Sequence, residues 1–129
     1  MENTTILMVD DEADLLSVVG SRIKSWGYNL FEAADGKTAL QLFENKKPDL
    51  IILDYMLPDM NGIEVLEKIR MVDKDIPVIM FTAYPSKETI SGADKLGISA
   101  FIPKFSLYTD IQNSLKTALD VIKNKSSGK

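Results

Sequence analysis

The chain has 129 residues, 45% of them hydrophobic and 26% charged, with a formal net charge of −4 and neither cysteine nor histidine. That length suits one domain of the usual size, about 100–200 residues, with enough core to fold without staples. The missing residue types exclude disulfides, Cys/His zinc sites, thiol nucleophiles and Ser-His or Cys-His pairs, so any bound metal must take oxygen ligands, which favours Mg²⁺, Mn²⁺ or Ca²⁺.

The opening residues, MENTTILMVDDE, lack a basic start and reach two acids after a short apolar run, so no signal peptide is expected. Ile6–Val9 reads as the first strand. Leu15, Val19, Ile23 and Trp26 then recur at spacings of four, four and three, one face of a helix. Asn29–Glu32 is a second strand, and Asp35-Gly36 opens a helix around Ala39–Phe43. The third strand, Leu50–Leu53, is apolar enough to bury both faces and runs straight into Asp54 before the turn at Pro58-Asp59. Asn61 is placed to cap a third helix with Ile63, Leu66 and Ile69 inward. Val78–Phe81 is a fourth strand. The fourth helix, Ser86–Leu96, carries Gly92 at its middle, which costs about 1 kcal/mol relative to Ala and makes it the expected weakest helix. Ala100–Ile102 is a fifth strand closed by Pro103. The last helix runs from a Ser106 cap through Ile111, Leu115, Ala118 and Ile122. Residues 1–123 form the expected domain, and 124–129 a polar tail or linker stub. No apolar run approaches the roughly 18 residues of a membrane span. The acidic balance leaves no footprint for nucleic acid.

Five βα units in series imply an α/β fold, a doubly wound parallel sheet with helices on both faces. Of the two common orders, 2-1-3-4-5, the flavodoxin-like (βα)5 arrangement, has five strands. It also places the proline-closed fifth strand at an edge, where a missing N–H is tolerated.

Ligands of such sheets bind beyond the carboxyl ends of the strands, where strand order reverses. There the first strand ends in Asp10-Asp11 and its neighbour, the third, in Asp54. On its own Asp11 reads equally well as a helix cap. Together the three acids are costly: two unit charges at about 4 Å repel by roughly 4 kcal/mol at an effective dielectric of about 20. A hard divalent ion is the natural compensation, since Mg²⁺ takes one or two carboxylates and shares its shell with phosphate. Thr82 and Lys104 end the fourth and fifth strands. Singly they read as a turn residue and a solvated lysine. As a set with the acids they supply a hydroxyl donor and an ammonium, which suits phosphoryl transfer, where catalysis is mostly positioning and charge neutralisation. An aspartate can itself be the nucleophile and form an acyl phosphate.

The motifs MVDDE (8–12), LDYMLPDMNG (53–62), FTAY (81–84) and FIPKF (101–105), in this order and at these spacings, resemble the receiver domain of two-component response regulators over nearly the whole chain. The resemblance implies that Asp54 accepts a phosphoryl group from a histidine of a partner kinase or phosphotransfer protein. It implies that Asp10 and Asp11 hold Mg²⁺ (or Mn²⁺) with Asp54 and the backbone carbonyl of Met56. Thr82 would bond a phosphoryl oxygen and Lys104 would pair with phosphorylated Asp54. Phe101 would swing inward as Thr82 moves, changing the face made by the fourth helix, fifth strand and fifth helix. Such a protein is cytoplasmic and catalyses its own phosphorylation and slow dephosphorylation rather than acting as a conventional enzyme. It is either free-standing or the front piece of a longer regulator.

Two departures from the family pattern stand out. Proline precedes Lys104 instead of following it, so a cis Lys104–Phe105 bond would cost about 2.5–4 kcal/mol as a non-proline peptide; the expectation is cis. Met56 and Tyr84, two residues beyond Asp54 and Thr82, are bulky and are expected to shield the phosphoryl group from water and lengthen its lifetime. Among rival readings, a flavin binder needs a phosphate-cradling loop after the first strand, where this chain has the acidic, glycine-free VDDEAD. A haloacid-dehalogenase-type phosphohydrolase expects a second Asp where Met56 stands. The Gly92–Gly97 pair has P-loop spacing but Ile98 in place of the lysine. A docking module that never uses its acids is the remaining alternative.

Overall fold

The computed structural model describes residues 4–83, 85–104 and 108–127. Strands and helices alternate: β1 (Thr5–Val9), α1 (Ala13–Ser25), β2 (Asn29–Ala33), α2 (Gly36–Lys46), β3 (Leu50–Asp54), α3 (Gly62–Val72), β4 (Val78–Thr82), α4 (Lys87–Lys95), β5 (Ala100–Pro103) and α5 (Tyr108–Ser127). The strands are all parallel, in the order β2-β1-β3-β4-β5, the order expected. β5 lies at the edge, with Pro103 opposite Thr82.

Parallel strands covered on both faces must be apolar throughout, and β3 and β4 are buried at every position. Side-chain alternation sorts the core into two layers. Ile6, Met8, Ile52, Ile79, Phe81 and Ile102 pack with Leu15, Val19 and Ile23 of α1 and with Ile111, Leu115 and Leu119 of α5. Leu7, Val9, Ile51, Leu53, Val78 and Met80 pack with α2, α3 and α4 through Ala39, Val65, Leu66, Ile69 and Ala93.

The helix starts follow their local chemistry. Asp35 accepts from the Thr38 N–H at 2.7 Å. Asn61 and Glu64 form a reciprocal capping box, and Ser86 accepts from Thr89 at the head of α4. The differences from expectation are local. Trp26 is the C-cap of α1 rather than part of its helical face, and it lies half-buried against the core. In α3, Val65 is fully buried while Ile63 is only partly covered. At the far end α5 continues through Ser127, into the segment expected as a tail, because Lys123–Ser127 contains no breaker before Gly128. The Ser106 cap lies outside the described residues. No helix among the described residues is long and apolar enough to cross a membrane.

One glycine ties the fold to the end of β3. A Cβ on Gly62 would sit 2.5 Å from the Asp54 carbonyl oxygen and 2.9 Å from the Tyr55 Cα. Both are backbone atoms that cannot step aside, and the Gly62 N–H already donates to the Tyr55 carbonyl at 2.7 Å. Gly62→Ala is expected to cost about 1–3 kcal/mol or more by forced overpacking, read as a lower urea midpoint at unchanged slope. A wild-type midpoint would show that the loop has room to relax.

Candidate functional site

The carboxyl ends of β1 and β3 meet at the point where strand order reverses. Asp10 follows β1 directly and still extends the ladder, its N–H donating to the Ala33 carbonyl at 3.0 Å. Its side chain is fully buried, and Asp54 is 2% exposed. Asp11 is exposed, yet carboxylate oxygens of Asp10, Asp11 and Asp54 all lie within 4.8 Å of one another. The sheet therefore brings together the three acids that the sequence singled out.

Lys104 reaches them from the edge strand. Its N–H donates to the Thr82 carbonyl at 2.7 Å, which carries the β4–β5 ladder one residue further. Alternation then sends its side chain to the same side as Ile102, Asp10 and Asp54. The side chain is 4% exposed, and its ammonium lies 2.9 Å from Asp10 Oδ2 and 3.1 Å from Asp54 Oδ2.

A third contact was not anticipated from the sequence: Glu12 Oε1 lies 2.6 Å from Lys104 Nζ. Glu12 has extended backbone angles, φ −83° and ψ 105°, so it points the same way as Asp10, two residues earlier. Its N–H also donates to Asp10 Oδ1 at 2.9 Å. That two-residue spacing in MVDDE was the available signal. With Glu12 the site gathers four carboxylates around the Asp10–Asp54–Lys104 cluster and one ammonium, so a single divalent ion still leaves it negative.

Burial, with the charge of Asp10 second, pushes the Asp54 carboxyl up to about 6, against the opposing pull of Lys104 and of the Met56 N–H. Burial raises Asp10 as well, offset by the Glu12 N–H and Lys104. For Lys104 burial alone would lower the ammonium, but Glu12, Asp10 and Asp54 more than reverse it, and it stays protonated. Among the described residues no buried side-chain polar atom lacks a hydrogen-bond partner. The donor set is all oxygen, which fits Mg²⁺, Mn²⁺ or Ca²⁺ and not a soft metal.

The remaining candidates sit around this cluster. Met56 is half exposed; its N–H points to Asp54 Oδ1 at 3.3 Å and the residue bridges to Asn61. Thr82 is fully buried. Register pairs Phe101 with Met80, so Phe101 and Thr82 are diagonal neighbours on one face of the sheet. That face is the α2, α3 and α4 side, where Phe101 packs, partly buried, against the core layer. Tyr84 and the Lys104–Phe105 bond lie outside the described residues.

Residues 6–116 match the family model described as the response regulator receiver domain. The chain is similar to the sporulation initiation phosphotransferase F of Bacillus subtilis (strain 168), 33% identical over 96% of this chain and 100% of the relative. A probable transcriptional regulator, ycf27, of Porphyridium aerugineum is 32% identical over 98% of this chain, which spans about half (52%) of that longer relative. Among solved structures, a CheY-like response regulator receiver domain protein from Methanospirillum hungatei JF-1 superposes with a TM-score of 0.85 at 31% identity, covering 96% of this chain and 99% of that one. With the match running from the first strand into the last helix, the chain belongs to the response regulator receiver domain family of two-component systems.

Proposed function

We propose that Asp54 takes a phosphoryl group from a phosphohistidine on a partner histidine kinase or histidine phosphotransfer protein, with Asp10, Asp11, Asp54 and the Met56 carbonyl holding Mg²⁺, or Mn²⁺ in its place. The observation that carries this reading is the convergence of three carboxylates within 4.8 Å of one another at the carboxyl edge of the sheet, two of them held by a buried lysine.

In the transfer an Asp54 oxygen forms the new bond to phosphorus as the donor's P–N bond breaks. The imidazole leaves with the bonding pair and takes a proton from solvent. Asp54 must be ionised to attack, and with its carboxyl at about 6 it is mostly so at neutral pH. Its unusual basicity for an aspartate also favours nucleophilicity. Lys104 supplies a fixed positive charge beside the incoming oxygens. A bound Mg²⁺ would supply further neutralisation, which metal ions characteristically give in phosphoryl transfer. Thr82 is assigned to a phosphoryl oxygen.

Because Thr82 and Phe101 share a face, a shift of the threonine opens or fills space beside the ring, and the response passes to α4, β5 and α5. α4 suits a bistable element. It is the shortest helix, nine residues long, and its Gly92 is not demanded by packing, since a Cβ there would make only ordinary contact with Ile63 at 3.6 Å or more. The proposed compartment is the cytoplasm, in keeping with the absence of cysteine. A phosphohydrolase of the haloacid-dehalogenase type would need an acid where half-exposed Met56 stands.

Incubation with acetyl phosphate and Mg²⁺ is expected to give one acid-labile, hydroxylamine-sensitive phosphoryl label per chain, on Asp54, and none in EDTA. Undiminished labelling in EDTA would remove the metal from the reading. Turnover of phosphate esters would favour the hydrolase, and complete inertness a docking module.

A further inference from the structure

Lys104 is assigned to pair with a phosphoryl group on Asp54, yet its ammonium has no N–H left to give. An ammonium carries three donors, and three carboxylates lie around it: Asp10 Oδ2 at 2.9 Å, Glu12 Oε1 at 2.6 Å and Asp54 Oδ2 at 3.1 Å. One of them must let go before a phosphoryl oxygen can be bonded.

We propose that Glu12 is that one: a positioning residue that holds Lys104 in the unphosphorylated protein and competes with the phosphoryl group for it. The inference rests on Asp54 as phosphoacceptor. The side chains of Asp10 and Asp54 are 1% and 3% exposed, so either would become an unpaired buried charge on leaving Lys104. Glu12 is 51% exposed and can swing into water. Its backbone stays behind, pinned through its N–H to Asp10 Oδ1. Glu12 also stands at the N-cap of α1 without making a side-chain capping bond, a place where a side-chain oxygen usually serves the helix. Here that oxygen serves Lys104 instead. An arriving phosphoryl dianion would repel the Glu12 carboxylate while attracting the ammonium, so both forces favour exchange of one acceptor for the other.

The test uses Glu12→Ala and Glu12→Asp, with acetyl phosphate at saturating Mg²⁺. Aspartate keeps the charge but is one methylene too short to hold Lys104. Contact competition therefore predicts faster labelling in both variants, by about fivefold, the size expected for releasing one half-exposed ion pair. The Lys104 ammonium ¹⁵N resonance should shift in both as well, a direct reading of the lost contact. Thermal melts confirm that both variants are folded. Acceleration in Glu12→Ala with wild-type behaviour in Glu12→Asp would mean that net charge alone matters and would overturn the proposal. So would unchanged labelling in both variants while the wild type labels normally. If the wild type itself takes no label, the phosphoacceptor reading falls and the competition falls with it.

Discussion

Lys104→Met is expected to lower stability in EDTA at neutral pH by about 3–5 kcal/mol, the cost of breaking a buried ion pair from one side. For a domain with about 5–15 kcal/mol in hand that approaches unfolding. Methionine keeps the unbranched stem and its packing, so the loss isolates the ammonium. Without it Asp10 and Asp54, both buried, face each other with no cation. Two conditions should return most of the loss. Millimolar Mg²⁺ supplies a replacement cation to the same carboxylates. Lowering the pH to about 5 lets Asp54, already raised to about 6 with Lys104 in place, take up a proton more readily still. Urea midpoints in EDTA and in Mg²⁺, at both pH values, measure this. An equal loss under all four conditions would show that the unpaired charges of Asp10 and Asp54 are not its source.

Much of this site was legible because it depends on chain-level regularities. Runs such as Leu50–Leu53 and Val78–Phe81 announce buried strands, the alternation with helices announces parallel winding, and parallel winding puts every strand's carboxyl end on one edge. Asp10, Asp11, Asp54, Thr82 and Lys104 then share a neighbourhood whatever the details of packing. What was missed depends on single backbone angles or on contacts between distant loops. Glu12 reads locally as a residue entering a helix, and only its extended conformation turns it to Lys104. Asp59 reads as a turn residue after Pro58. In the fold it accepts from the Gly36 and Lys37 N–H groups at 2.8 and 2.9 Å, and these bonds hold its carboxyl below the ordinary range. Arg70 reads as a surface residue of α3. It donates instead to the Leu96 and Gly97 carbonyls, tying α3 to the end of α4. Nothing in a periodicity reports that two loops more than twenty residues apart will touch.

Asp54→Asn is expected to abolish labelling and, in EDTA, to make the protein more stable at neutral pH. The folded state raises the Asp54 carboxyl to about 6, against roughly 3.9 in an unfolded chain. Between those values the folded protein holds a proton that the unfolded chain has released. Stability of the wild type therefore falls as pH rises from about 4 to about 6, by about 3 kcal/mol at most, and the full penalty persists above that window. Asparagine cannot ionise, so the variant lacks this fall. It should match the wild type near pH 4 and exceed it at pH 7 by about 1–3 kcal/mol, the lower figure allowing for the lost bond to Lys104. The ammonium is not stranded, because Asp10 and Glu12 remain beside it. Added Mg²⁺ favours the ionised carboxylate, so it should stabilise the wild type more than the variant and close the gap. Urea unfolding from pH 4 to 8, with and without the ion, reads all of this. A parallel pH dependence in the two proteins would mean that Asp54 is ionised without penalty. The accumulated negative charge of the cluster would then not be what prepares it for a cation and a phosphoryl group.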